Sequence, residues 1–150
     1  MSVAQAKNLG DYMLRYREAV EPERAIVLHH GDCVGADLQA HLLAYSHGWQ
    51  VEIHPGADAE GASPKRAFSE NKEFRHVRAI HVPAPYMERN MDIVVSSILL
   101  LSCPGGPEKQ RSGTWSTVRA AERMARMAVI FMPDGEIEQR NEDLHGHEED

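Results

Sequence analysis

Apolar residues at Leu9, Tyr12, Met13, Tyr16 and Val20 recur at three- and four-residue spacing. They predict an amphipathic helix with Ser2 as its N-cap and Pro22 beyond its end. Residues 25–28 (AIVL) then form a short continuous apolar run, as expected for a strand buried on both faces. A turn over residues 31–35 leads into a second helix carrying Leu38, Leu42 and Tyr45, with Ala36, Ala40 and Leu43 on a flanking row and Gly48 at its end. Residues 51–53 read as a strand stopped by Pro55, residues 56–73 as a polar surface loop, and residues 78–82 as another strand. Met87, Met91, Val94, Val95 and Ile98 mark a third helix opening after Pro85. Residues 98–102 are the most apolar run and predict a central strand.

A loop over residues 104–113 precedes a fourth helix with Trp115, Val118, Ala121 and Ala125 on one side. Arg119, Arg123 and Arg126 line another side, where Glu122 can pair with Arg126. Residues 129–132 predict a last strand, ended by Pro133, Asp134 and Gly135. Short apolar strands alternating with helices predict an α/β fold, a Rossmann-like three-layer sandwich on a mainly parallel sheet. Ligands of such sheets bind at the carboxyl ends of the strands.

Charge sharpens this picture. The net charge of the 150 residues is −7, and residues 134–150 alone carry eight acids against Arg140. The chain therefore divides into a domain over 1–135 and an acidic, mobile tail over 136–150. Residues 1–133 are neutral overall, with the bases concentrated in their second half. A compact anionic ligand fits that balance better than a nucleic acid or an anionic membrane. Aromatics are 6% of the chain, so the core must be aliphatic. No run of about 18 apolar residues spans a membrane and no signal peptide opens the sequence. Two cysteines 70 positions apart read as free thiols, and a cytoplasmic location is expected.

Three segments carry the candidate chemistry, each just after a predicted strand. The first, HHGDCVGAD over residues 29–37, holds Gly31, Asp32, Gly35 and Asp37. Its glycines let the backbone approach a ligand, and the following helix offers free N–H groups to a phosphate. The second places Arg89 and Asn90 in the first turns of a helix, where Arg offers a fork of donors. The third runs from Pro104, Gly105 and Gly106 to Arg111, Ser112, Gly113, Thr114 and Trp115, and suits an anion at a helix N-terminus. Ser112 or Thr114 also fits an N-cap, and the spacing of Trp115 with Val118 suits core packing as well as stacking on a base. Of the nine histidines, His29 and His30 are adjacent and point to opposite faces of a strand, while His54 and His81 lie near strand ends. No HExxH or Cys/His zinc spacing appears, so neither a metal nor a cofactor is expected. Cys33 and Cys103 sit at strand ends, but no GxSxG or charge-relay arrangement accompanies them.

In this order the segments HGDCVGAD (30–37), PYMERN (85–90) and PGG (104–106) with RSGTW (111–115) resemble the SLOG superfamily. That Rossmann-like group includes the Lonely Guy phosphoribohydrolases, DNA-processing protein A and small stand-alone bacterial and phage members. The resemblance covers residues 25–135 and is closest to the stand-alone members. It implies a protein that holds a phosphorylated nucleotide or nucleotide-derived signal in these loops, as a sensor or sequestering protein. The alternative it implies is an N-glycosidic hydrolase acting on nucleoside monophosphates. Phosphoribohydrolases carry glutamates directly after their Gly-Thr, where this chain has Ser116 and Thr117. Neither can act as a carboxylate acid or base, which favours binding over hydrolysis. Asp32, Asp37, Glu88 and Asp92 are the acids left as substitutes. Stand-alone members also open with a strand before the first helix, whereas this sequence opens on the helix. A gap is therefore expected beside residues 26–28, and an apolar edge there invites a homo-oligomer.

Overall fold

The computed structural model describes residues 1–58 and 76–141. The first helix, α1 (Val3–Ala19), begins in a capping box. The Ser2 hydroxyl accepts from Gln5 N–H, and the Gln5 side chain accepts from Ser2 N–H. There follow β1 (Val27–His30), α2 (Ala36–Ser46), β2 (Gln50–Ile53), β3 (Gly56–Ala57) and β4 (Val77–Ile80). The second half comprises β5 (Ala84–Pro85), α3 (Tyr86–Val95), β6 (Leu99–Ser102), α4 (Gly113–Arg123), β7 (Met127–Phe131) and β8 (Ile137–Arg140). No helix among the described residues is long and apolar enough to cross a membrane.

The alternating order gives mostly parallel sheets in a three-layer arrangement, as the sequence predicts. One sheet has the order β1-β2-β4 and is parallel throughout. A second has the order β6-β7-β8, with β8 antiparallel. A two-residue parallel pair, β3-β5, forms its own ladder just beyond β2 and β4. Side chains alternate across each strand and so serve two layers. Val51 and Ile53 of β2 join Val129 and Phe131 of β7 in one core with Leu9 and Met13 of α1 and Ala44 of α2. Ile130, between Val129 and Phe131, faces the other way and packs on Trp115 and Val118 of α4.

The two larger sheets do not join. Among the described residues, one edge of β1 and one edge of β6 have no strand partner. A cavity of about 630 Å³ lies between them, lined by residues 25–30 on one side and Leu99, Leu100 and Leu101 on the other. Leu9, Tyr12 and Tyr16 of α1 and Ile93, Ser96 and Ser97 of α3 complete its walls. The expected gap beside residues 26–28 is thus a cavity between two half-sheets.

Several expectations require correction. The run at 98–102 is no central strand: β6 is an edge, and β7 is the middle of its sheet. Gly56 and Ala57 are buried in β3 rather than in a surface loop, and the rest of that loop, from residue 59 to 73, lies outside the described residues. Met87, Met91, Val95 and Ile98, read as one apolar helix face, are exposed, and only Val94 of that set is buried. The acidic tail does not begin at residue 136. Met132 N–H donates to Glu136 C=O across a turn with Gly135 at φ 97°, and β8 then pairs with β7. Arg140 of β8 meets Glu108, Glu138 and Glu122, so Glu122 pairs with Arg140 rather than with Arg126. Residues 142–150 lie outside the described residues.

Candidate functional site

Because α2, α3 and α4 follow strands, their N-termini gather at the carboxyl ends of β1 and β6, and the start of α1 lies beside them. A cavity of about 720 Å³ opens there. Its lining takes Gly31, Gly35 and Asp37 from the first segment, Arg89 and Asn90 from the second, and Pro104, Gly105, Gly113 and Thr114 from the third. The three segments, drawn from residues 30–37, 85–90 and 104–115, therefore meet at one place. Neither α2 nor α3 carries a side-chain N-cap, while Ser112 caps α4 by accepting from Trp115 N–H. Helix N-termini are sites of partial positive charge with unused N–H groups.

The first loop is built from inside. Asp37 Oδ2 accepts from Gly31 N–H at 3.1 Å and Cys33 N–H at 3.0 Å. Arg89 is buried behind this loop. Its Nη1 donates to Gly31 C=O at 2.6 Å and His54 C=O at 3.2 Å, and its Nε donates to Asn90 Oδ1 at 2.8 Å. Nη2 lies 3.9 Å from Cys33 Sγ, and the guanidinium sits 5.3 Å from the Tyr86 ring centre. A Cβ at Gly31 would come within 2.5 Å of Arg89 Nη1 and 3.2 Å of Asp37 Oδ2. Gly31 therefore makes room for the arginine, whereas Gly35, at φ 91°, supplies a left-handed turn.

His30 lies below this loop. Its Nδ1 accepts from Asp32 N–H, which places the proton of the neutral ring on Nε2, 2.8 Å from His41 Nδ1. Burial lowers the pKa of both rings, and His41 is pushed down to about 4, with His30 adding to the effect. Asp32 itself is buried at φ 59°, a left-handed conformation costly for a side chain with a Cβ.

Five expected site residues do not line the cavity. Asp32 is turned into the protein. Trp115 is buried, its Nε1 donating to Gly106 C=O, so it holds the glycine loop from within rather than offering a stacking face. Ser112 is the helix cap, Gly106 is that loop's anchor, and Arg111 lies exposed at φ 58° outside the lining. The sequence places these residues on loops that border the cavity but does not say which way each faces. Conversely, Cys33, Cys103 and Thr117 do line the cavity. Burial raises both thiols, Cys103 to about 11, which keeps them protonated and poor nucleophiles. Asp37 is the one acid among the lining residues, and its carboxylate already holds two backbone N–H groups.

The site resists assignment by similarity. Comparison with protein-family models, with curated proteins and with solved structures finds no match to this chain.

Proposed function

We propose that this chain is a SLOG-like protein that binds a phosphorylated nucleotide or nucleotide-derived signal in the 720 Å³ cavity, as a sensor or sequestering protein of the cytoplasm. The observation that carries this reading is the meeting of the three predicted loops at helix N-termini, two of them without side-chain caps. Such N-termini favour phosphate oxygens, and the volume falls within the usual range of about 300–1,000 Å³ for ligand pockets. In this reading Gly113, Thr114 and the first turn of α2 hold phosphate. Asn90 and the Arg89 Nη2 face meet the sugar or a second phosphate.

Binding is preferred to hydrolysis because of the acids. Ser116 and Thr117 occupy the places of the phosphoribohydrolase glutamates, and Asp37 is engaged by its own loop. A hydrolase needs a carboxylate within reach of the glycosidic bond. Self-association belongs to the same proposal. Met87, Met91 and Val95 recur every four residues on α3 and are exposed, with Ile98 beyond them, an apolar stripe suited to a second copy.

Native mass spectrometry of the protein purified from cells tests the binding reading, with a thermal-shift panel of nucleoside phosphates, cyclic dinucleotides and ADP-ribose. A co-purified nucleotide, or stabilisation by one panel member that is returned intact, is expected. No bound mass and no shift at millimolar ligand would overturn the reading. Release of a free base would establish the hydrolase instead.

A further inference from the structure

On the face of the β1-β2-β4 sheet opposite the α1/α2 core, four side chains converge, of which His29 alone also borders the 720 Å³ cavity. His29 and Glu52 are paired positions on the parallel strands β1 and β2. His54 is two residues beyond Glu52 and so shares its face. His81 follows β4 and stacks on His54, with ring centres 4.1 Å apart and planes 11° apart. Its Nε2 lies 2.9 Å from Glu52 Oε1, and His29 Nδ1 lies 3.0 Å from His54 Nε2. Donor atoms of His29, Glu52 and His54 all lie within 4.8 Å of one another.

We propose that His29, Glu52 and His54 form a binding site for a divalent transition metal of the zinc class, with His81 orienting the Glu52 carboxylate. Two imidazoles and one carboxylate are a donor set that such ions take at about 2.0–2.2 Å. A tetrahedral ion with ligands at that distance separates them by about 3.3 Å, close to the observed spacing of the two ring nitrogens. At present those nitrogens share one proton, and the ion takes its place once the donor ring moves that proton to its other nitrogen. Metal ligation requires a ring nitrogen without a proton. Burial keeps His29 and His54 neutral, His54 with a pKa of about 4. Burial pushes the Glu52 carboxyl up. The hydrogen bond from His81, with His29 and Arg78 nearby, outweighs that and holds it below its ordinary value as an anion. Arg78 Nε lies 3.4 Å from Glu52 Oε2 and helps to hold that carboxylate in place. His29 and Glu52 line the 630 Å³ cavity, so the remaining coordination position faces a space able to hold water or an anionic ligand. The pattern is not visible as a sequence motif because its members come from three strands and meet only through the register of the sheet.

Calorimetric titration of zinc(II) into the full chain at pH 7.5, repeated with cobalt(II) and its visible spectrum, tests the site. One equivalent is expected to bind, with a cobalt spectrum free of thiolate charge transfer. His29→Ala and His54→Ala should each weaken binding by at least about 100-fold, and His81→Ala by about 10- to 100-fold. His145→Ala with His147→Ala should change it by less than about twofold. Nitrogen NMR of the unmodified protein keeps the test valid if a variant misfolds. One equivalent of zinc should move the His29 and His54 ring signals and leave His41 in place. Absence of binding below millimolar zinc, unchanged affinity in folded His54→Ala, or unmoved His29 and His54 signals would each overturn the proposal.

Discussion

Arg89 Nη1 donates to the carbonyl of Gly31 at 2.6 Å, joining two residues 58 positions apart. The same nitrogen occupies the space a Cβ at Gly31 would need. Loop and arginine are thus one unit, and the arginine's first task is to hold the cavity wall. Arg89→Ala leaves two buried carbonyls without their donor and should destabilise the fold by roughly 2–4 kcal/mol. Gly31→Ala forces the guanidinium aside and should cost about 1–3 kcal/mol. Urea unfolding of both variants measures this. A loss under about 0.5 kcal/mol in Arg89→Ala would show that the loop stands without it.

Anion binding at the helix N-termini predicts a clear charge dependence. Thr117→Glu puts a carboxylate in the cavity wall, and affinity for the nucleotide identified by mass spectrometry should fall at least about tenfold, equivalent to about 1.4 kcal/mol. Arg111→Ala and Arg123→Ala alter exposed charges outside the lining and should change affinity less than about threefold. Calorimetry on the three variants decides. Equal losses in Thr117→Glu and Arg123→Ala would move the ligand onto the outer face of α4.

The segments that carry this site were legible because βα units force helix-opening loops to the carboxyl ends of parallel strands. Gly31, Asp37, Arg89 and Thr114 reach the cavity for that reason. Side-chain direction was less legible. Trp115 sits in the first turn of α4, and its burial against Val118 and Ile130 shows that its ring belongs to the core. The sheet order was hidden too, since the apolarity of Leu99, Leu100 and Leu101 reflects burial against helices and a cavity, not a central position. Strand β8 escaped notice because its sequence, IEQR, is polar and mostly exposed. Its place comes from pairing with β7 and from the Arg140 ion pairs.

The pair His30–His41 gives the fold a pH dependence. His41 has a pKa of about 4 in the folded chain against 6.5 ordinarily, because burial and His30 disfavour its charged form. Between those values the unfolded chain binds more protons than the folded one, so stability rises with pH across that window. Above 6.5 both states are neutral at this residue and the dependence ends. Thermal melts in chelator should therefore show the melting temperature falling from pH 6.5 towards pH 4. His41→Asn should reduce the slope, with His54, also at about 4, supplying part of what remains, and an unchanged slope would remove His41 from the account.

Self-association should follow the α3 stripe. Met91→Glu with Val95→Glu places two charges in the proposed contact and should yield a monomer without lowering the melting temperature by more than about 3 °C. Light scattering at micromolar concentration reads the outcome. A monomeric parent, or a variant that remains oligomeric, would place the contact elsewhere or nowhere.

The space between β1 and β6 leads to a constructive prediction. The carboxyl ends of both strands reach the 720 Å³ cavity, so they run in the same direction. Ser2, at the start of α1, is bonded to the Pro133 carbonyl near that same end. A designed extension of five Val and Ile residues, joined to Met1 by a short turn, would therefore enter the 630 Å³ cavity parallel to both edges. Each new backbone hydrogen bond contributes about 0.5–1.5 kcal/mol and each buried aliphatic side chain about 1.5–3 kcal/mol. Ordering the extension costs about 1–2 kcal/mol per residue in backbone entropy. The balance favours insertion by a few kcal/mol, and at about 2–4 °C per kcal/mol the melting temperature should rise by roughly 5–15 °C. An extension of equal length with alternate Asp residues should give no rise, because a charge cannot be buried there unpaired. Equal melting temperatures for the two extensions would mean that the half-sheets close on each other in solution and leave no room for a strand.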